Sequence, residues 1–174
     1  MKVLFLTVAL SLFSILQAQE PSSPSEERFE VTYFGKAIVI DNKFHEKKNK
    51  DMSPMTITYL SDGNLEVKYT VKKHGRCEEN KFKLEKTNQT GQFFEDEGKR
   101  QVFIEETSVR DHWIFFCQRE SRGTQIRVAT LVGPDAEENL QAFEDYKKFV
   151  NLKGFNEEKI IIPRQVEACT PDHA

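Results

Sequence analysis

The chain has 174 residues, 38% of them hydrophobic and 30% charged, with a formal net charge of −3. That length and composition suit one globular domain, and the mild acidity argues against a nucleic-acid partner, which needs a concentrated basic surface. The short run Lys47, Lys48, Lys50 reads as a solvated loop.

At the N-terminus, Lys2 precedes an apolar run over residues 3–16 and the small residue Ala18, the pattern of a secretory signal peptide. Cleavage is expected after Ala18, leaving Gln19 first and a net charge of −4, from 24 basic and 28 acidic residues. The run falls short of the roughly 18 apolar residues that a membrane span needs, and no second one follows, so no membrane insertion is expected. The expected layout is a signal peptide over 1–18, a flexible leader over 19–28, one folded domain over 29–169 and a tail over 170–174. The protein is expected to be secreted, and a monomer.

From residue 29 to residue 132 the sequence alternates apolar and polar residues in short segments broken by turn residues, the mark of half-buried antiparallel strands. Eight strands are predicted. The first covers 29–40, with Val31, Tyr33, Ala37 and Val39 on one face, and the second covers 55–60, with Met55, Ile57 and Tyr59 alternating against Thr56 and Thr58. After the turn Ser61-Asp62-Gly63-Asn64 the third carries Leu65, Val67, Tyr69 and Val71 against Glu66, Lys68, Thr70 and Lys72, completing a hairpin. The fourth, over 80–86, turns Phe82 and Leu84 inward, and a short fifth lies around Phe93 and Phe94. The sixth to eighth follow over 101–106, 112–118 and 125–133. Periodicity leaves open whether such a meander closes into a barrel or forms a sandwich.

The pattern then becomes helical. Asp135 is expected to cap a helix of about four turns whose apolar face holds Leu140, Phe143, Tyr146, the Lys147 stem and Val150, with Gly154 as its stop. Ile160-Ile161-Ile162 before Pro163 reads as one more short strand.

Chemistry-bearing patterns are few. There is no His-Glu-x-x-His, Gly-x-Ser-x-Gly or Cys-x-x-Cys, and His45, His74, His112 and His173 sit in polar surroundings that suit solvated side chains. No enzyme activity, metal or cofactor is expected. His112 and Cys117, five residues apart, point to opposite faces of a strand and cannot pair. Glu95-Asp96-Glu97 reads as a solvated turn, and the acidic 135–138 segment as a helix start favoured by the dipole. Three cysteines in a secreted chain imply one bridge and one remainder. Cys117, on its strand, suits a buried thiol. Asn88-Gln89-Thr90 is a glycosylation acceptor in a turn, with modification expected at Asn88.

An eight-stranded meander followed by one helix, a short strand and a late cysteine is the order of a lipocalin. Gly35-Lys36-Ala37-Ile38-Val39-Ile40-Asp41, Gly63-Asn64-Leu65-Glu66, Arg76-Cys77, Lys86-Thr87, Phe115-Phe116-Cys117, Leu131-Val132-Gly133 and Asn139-Leu140-Gln141-Ala142-Phe143 resemble the branch holding von Ebner's gland (tear), odorant-binding and late lactation lipocalins. The resemblance implies an all-β fold: an eight-stranded antiparallel up-and-down barrel, one C-terminal helix packed outside and a short ninth strand. It also implies a Cys77–Cys169 bridge. Two places depart from the family pattern. Val31 and Tyr33 stand where the family has Gly-x-Trp, and Pro134 stands where it has an Arg that packs on that Trp. Asp111 is kept before the Trp113 strand.

A barrel of eight strands is just wide enough to be filled or to hold one small ligand. The expected partner is a small apolar molecule such as a fatty acid or other lipid product, lined by Val39, Met55, Ile57, Leu65, Val67, Tyr69, Phe82, Leu84, Val102, Phe103, Ile104, Phe115 and Cys117. On the sixth strand, parity between Val102 with Ile104 and Phe103 is open. Residues 42–53 are expected to act as a lid, with Lys43, Lys47 or Lys48 near a polar headgroup. The alternatives are an inhibitor or interaction protein working through surface loops, and a nutritive protein with a filled barrel.

Overall fold

A computed structural model of the protein describes residues 29–41, 51–95 and 98–171. The signal, the leader, Lys43, His45, Lys47, Lys48, Lys50, Asp96, Glu97 and His173 lie outside the described residues. The elements are β1 (Phe29–Asp41), β2 (Asp51–Met52), β3 (Met55–Tyr59), β4 (Leu65–Lys73), β5 (Arg76–Lys86), β6 (Gln92–Glu95), β7 (Arg100–Glu106), β8 (Trp113–Ser121), β9 (Thr124–Gly133), α1 (Leu140–Leu152) and β10 (Arg164–Gln165), with a single 3₁₀ turn at Glu157–Lys159.

Strands β1 and β3 to β9 close into an antiparallel barrel in meander order, β9 returning to β1. Alternation decides the two faces, because residues paired across strands share a face. The β3–β4 hairpin turns where it must: Gly63 holds φ +85°, the Asp62 carboxylate accepts from the Asn64 amide at 2.9 Å, and the Leu60 amide donates to the Asn64 carbonyl at 3.0 Å.

Two apolar clusters result. The inner one joins Tyr33, Ile57, Leu65, Val67, Leu84, Val102 and Val132, with Phe93, Ile104, Trp113 and Phe115 packed on it. The outer one joins Ala37, Val39, Ile114, Phe116, Ala129 and Leu131 with Ala142, Tyr146 and Val150 of α1. Tyr146 seats the helix, donating its hydroxyl to the Ala129 carbonyl at 2.7 Å in a fully buried setting.

The first strand does not keep one parity. A β-bulge between Gly35 and Ala37 inserts Lys36 and flips every later residue. Val31 and Tyr33 therefore face inward, whereas Ala37 and Val39 face the helix. The bulge also buries the Lys36 amine, 7% exposed, which donates to His112 Nε2 at 2.8 Å and pairs with Asp135 at 3.4 Å. His112 is consequently buried rather than solvated, its Nδ1–H donating to the Arg110 carbonyl at 2.9 Å.

Three further expectations change. The helix is capped by Asn139, whose side chain accepts from the Ala142 amide at 2.9 Å, while Asp135 accepts from the Glu137 amide in the turn before it. Leu140 at the helix start is 70% exposed, because Ala142, Tyr146 and Val150 carry the buried stripe. Gly154 does end the helix at φ +80°, its amide donating to Asn151.

The ninth strand is β10, paired in parallel with β2, and not the isoleucine run. Ile161 makes only an isolated bridge to Ile38, since Pro163 has no N–H with which to extend the ladder and Ile162 points to solvent. Residues 51–53 of the expected lid are thus fixed against β10 and β4, and residues 42–50 lie outside the described residues. Ser53 is buried and donates to the Thr70 carbonyl at 2.6 Å. A disulfide joins Cys77 on β5 to Cys169, 92 residues later, and pins the tail outside β4 and β5. Closing a loop of that size stabilises by roughly 4 to 5 kcal/mol in the chain-entropy model.

Candidate functional site

Inward residues at the β3–β4 turn end of the barrel surround a cavity of about 600 Å³, lined among others by Tyr33, Ile57, Leu65, Phe93, Ile104, Trp113 and Phe115. Register explains the set. Val31 opposes Ile57, which opposes Val67 and then Phe82, while Ile104 opposes Phe115 and Val102 opposes Cys117. These are alternate residues of consecutive strands, so their side chains converge on one axis. Polar groups gather at the rim, where Thr90, Glu105 and Glu106 border the cavity. Burial and a hydrogen bond with Tyr33 push the Tyr59 hydroxyl well above the usual tyrosine range, so it stays protonated.

A larger cavity of about 690 Å³ lies between β2, the far half of β4 and the tail. Its wall mixes the inward Met55, Tyr69 and Val71 with outward Thr70 and Lys72 and with the Asp51–Arg164 ion pair, 2.8 Å long. Size favours this cavity, but lining favours the inner one, where apolar side chains of six strands converge; ligand sites are mostly apolar with a few convergent polar groups.

Of the thirteen residues expected to line a ligand, Ile57, Leu65, Ile104 and Phe115 border the inner cavity, and Met55 and Tyr69 border the larger one. Val67, Phe82, Leu84 and Val102 belong to the inner cluster between them without bordering either. Cys117 borders a recess of about 220 Å³. Burial pushes its thiol up to about 11, so it is not a nucleophile at neutral pH. Val39 and Phe103 pack in the outer cluster instead. Val39 is turned out by the bulge, and Phe103 opposes Phe116 beneath the helix, which settles the parity of β7 in favour of Val102 and Ile104 inward.

Sequence reasoning missed Tyr33, Phe93 and Trp113. Trp113 stands two residues before Phe115, so the alternation already in hand extends to it. Phe93 follows from its register with the inward Val102. Among the described residues no group of three or more His, Cys, Asp or Glu side chains could hold a metal ion, and no helix is long and apolar enough to cross a membrane.

Comparison with known proteins fits this architecture. The model of the lipocalin / cytosolic fatty-acid binding protein family matches residues 32–167. The chain belongs to the lipocalin family. This lipocalin is 62% identical to late lactation protein B of Notamacropus eugenii over 174 residues, 99% of each chain. It is 38% identical to von Ebner gland protein 1 of Rattus norvegicus, over 97% of each. Among solved structures it is similar to the siderocalin Ex-FABP, with a TM-score of 0.68 and 18% identity, over 80% of this lipocalin and 97% of that chain. At that identity the likeness is one of fold.

Proposed function

We propose that this lipocalin is a secreted carrier that holds one small apolar molecule, a fatty acid or similar lipid product, inside its barrel. The observation that carries the reading is the inner cavity of about 600 Å³ with its converging aromatic and aliphatic wall. Its size falls in the range of small-molecule sites, and each methylene transferred into it contributes about 0.8 kcal/mol before association costs. An empty volume of this kind supports a carrier over a nutritive protein with a filled barrel. The names of its relatives, a late lactation protein and a gland protein, support release into a secreted fluid. So does the Cys77–Cys169 bridge, which persists in oxidising compartments. Processing after Ala18 and glycosylation of Asn88, which stands exposed in the turn between β5 and β6, complete the proposal.

The test is displacement of a fluorescent fatty acid from delipidated protein. Micromolar binding is expected, and Leu65→Trp, which fills the cavity, is expected to abolish it. If no apolar probe binds the unsubstituted protein, the carrier reading is wrong. Native extraction followed by mass spectrometry would identify the molecule carried.

A further inference from the structure

Strand β5 outruns its neighbour on one side. It is 11 residues long against 4 in β6, and the two pair only at Glu85 with Phe94 and Lys86 with Phe93. On the other side β4 matches it residue for residue from Leu84 back to Arg76. In an antiparallel ladder alternate residues turn their N–H and C=O groups to opposite neighbours. Alternate backbone groups of residues 77–83 therefore face a side on which, among the described residues, no strand pairs with them. An open edge of this kind is a template for another strand.

Side chains along the edge decide what that strand is. Phe82 and Leu84 turn into the barrel, so Glu79, Lys81 and Lys83 stand on the outside, all exposed. Their charges are unevenly met. Lys81 faces Lys68 across the β4 ladder, a like-charge pair relieved by Glu66 at 3.3 Å, whereas Glu79 faces Thr70 and makes no ion pair among the described residues. A run of one charge would guard the edge against pairing. The alternation of Glu79 with Lys81 instead favours one partner in one register.

We infer that the open β5 edge is an interaction surface for a second copy of this chain, the two β5 strands pairing antiparallel about a two-fold axis beside Asn80. Symmetry limits the choices, because such a self-complementary strand pair sets one residue opposite its own copy. With Glu78, Glu79, Lys81 or Lys83 at the axis, that residue meets its own charge, and with Phe82 there Lys81 meets Lys83. With Asn80 there, Glu79 of each copy meets Lys81 of the other, and Glu78 meets Phe82. Glu79 thereby gains a counter-charge, and the Lys68 and Lys81 pair gains a second anion beside it. A strand pair this short stays below the roughly 1,200 Å² of standard interfaces, so the association is weak, on the order of hundreds of micromolar. It departs from the monomer expected of the sequence.

The experiment is sedimentation equilibrium of the full chain from about 10 µM to about 1 mM, a range that brackets a weak interface. An equilibrium between monomer and dimer is expected. Lys81→Glu and Glu79→Lys each set like charges opposite each other at both symmetric positions, and each is expected to weaken the dimer about tenfold. The double variant E79K/K81E is expected to restore it, and an equimolar mixture of the two single variants to associate more tightly than either alone. Both side chains are exposed, and circular dichroism checks that each variant is folded. A monomer at the highest concentration, a dimer indifferent to both single reversals, or folded single variants that ignore each other in the mixture overturns the inference.

Discussion

The face of the barrel beneath α1 and the face turned inward are made from alternate residues of the same strands, yet they are finished differently. Under the helix, Ala37, Ala129 and Ala142 are small and wholly buried, letting Tyr146 and Val150 come close enough to shut out all solvent. Inside, Phe93, Ile104, Trp113 and Phe115 are only partly buried although they point into the barrel, because they border empty space. The outer core is therefore closed throughout, whereas the inner one is packed around Val67, Leu84 and Val102 and left open at the β3–β4 turn end.

Substitutions can break that contrast. The largest effect is expected from Tyr146→Ala, which removes a buried ring together with its hydrogen bond to Ala129. It should lower unfolding free energy by roughly 3 to 5 kcal/mol, read from urea denaturation, with the affinity of the remaining folded protein for an apolar probe unchanged. Phe115→Ala should do the reverse. Its ring faces a cavity, so the stability loss should stay near 1 to 2 kcal/mol, below the usual range for deleting a phenylalanine, while probe affinity drops by about tenfold. A loss of stability as large as that of Tyr146→Ala would mean that the interior is packed and the contrast false.

The smallest effect is chemical. Burial holds the Cys117 thiol near 11, so it stays protonated, and a disulfide reagent at pH 8 should leave the native protein unmodified. Reactivity should rise only as pH nears that value, and at pH 8 should appear at once in urea. Labelling of the native protein at pH 8 at the rate of a free thiol would show that this part of the interior is wet.

How much of this could be read from residues alone depends on the strand. The β4 pattern is legible because one side meets water: Glu66 and Lys68 mark outside as plainly as Leu65 and Val67 mark inside. On β7 both sides are apolar, since Phe103 goes beneath the helix while Val102 and Ile104 go inward, and alternation has nothing polar to register against. Val39 was illegible for another reason. A bulge adds one residue without any local signature beyond Gly35, which tolerates the approach of the Met52 side chain where a Cβ would collide with it. The burial of His112 is likewise non-local, since it depends on an amine 76 positions away. The choice between Asp135 and Asn139 as helix cap could not be made from side-chain chemistry that both residues share. The chain order of the eight barrel strands and the helix was legible, because it needs only the two periodicities and the turn residues between them, whereas β2 and β10, two residues each, are too short to show a period.

Beyond Tyr33 the second edge of β1 is not covered by β3. It meets Ile161 at Ile38 and the Gln165 side chain at the Gly35 carbonyl, with β10 laid along β2 just beyond. A ribosome delivers β1 first and these partners more than a hundred residues later. At some 5 to 20 residues per second the seam stays open for several seconds of synthesis. The barrel is thus fastened last, by its own end, and a chain cut before residue 160 would lack part of its wall and one half of its only bridge among the described residues.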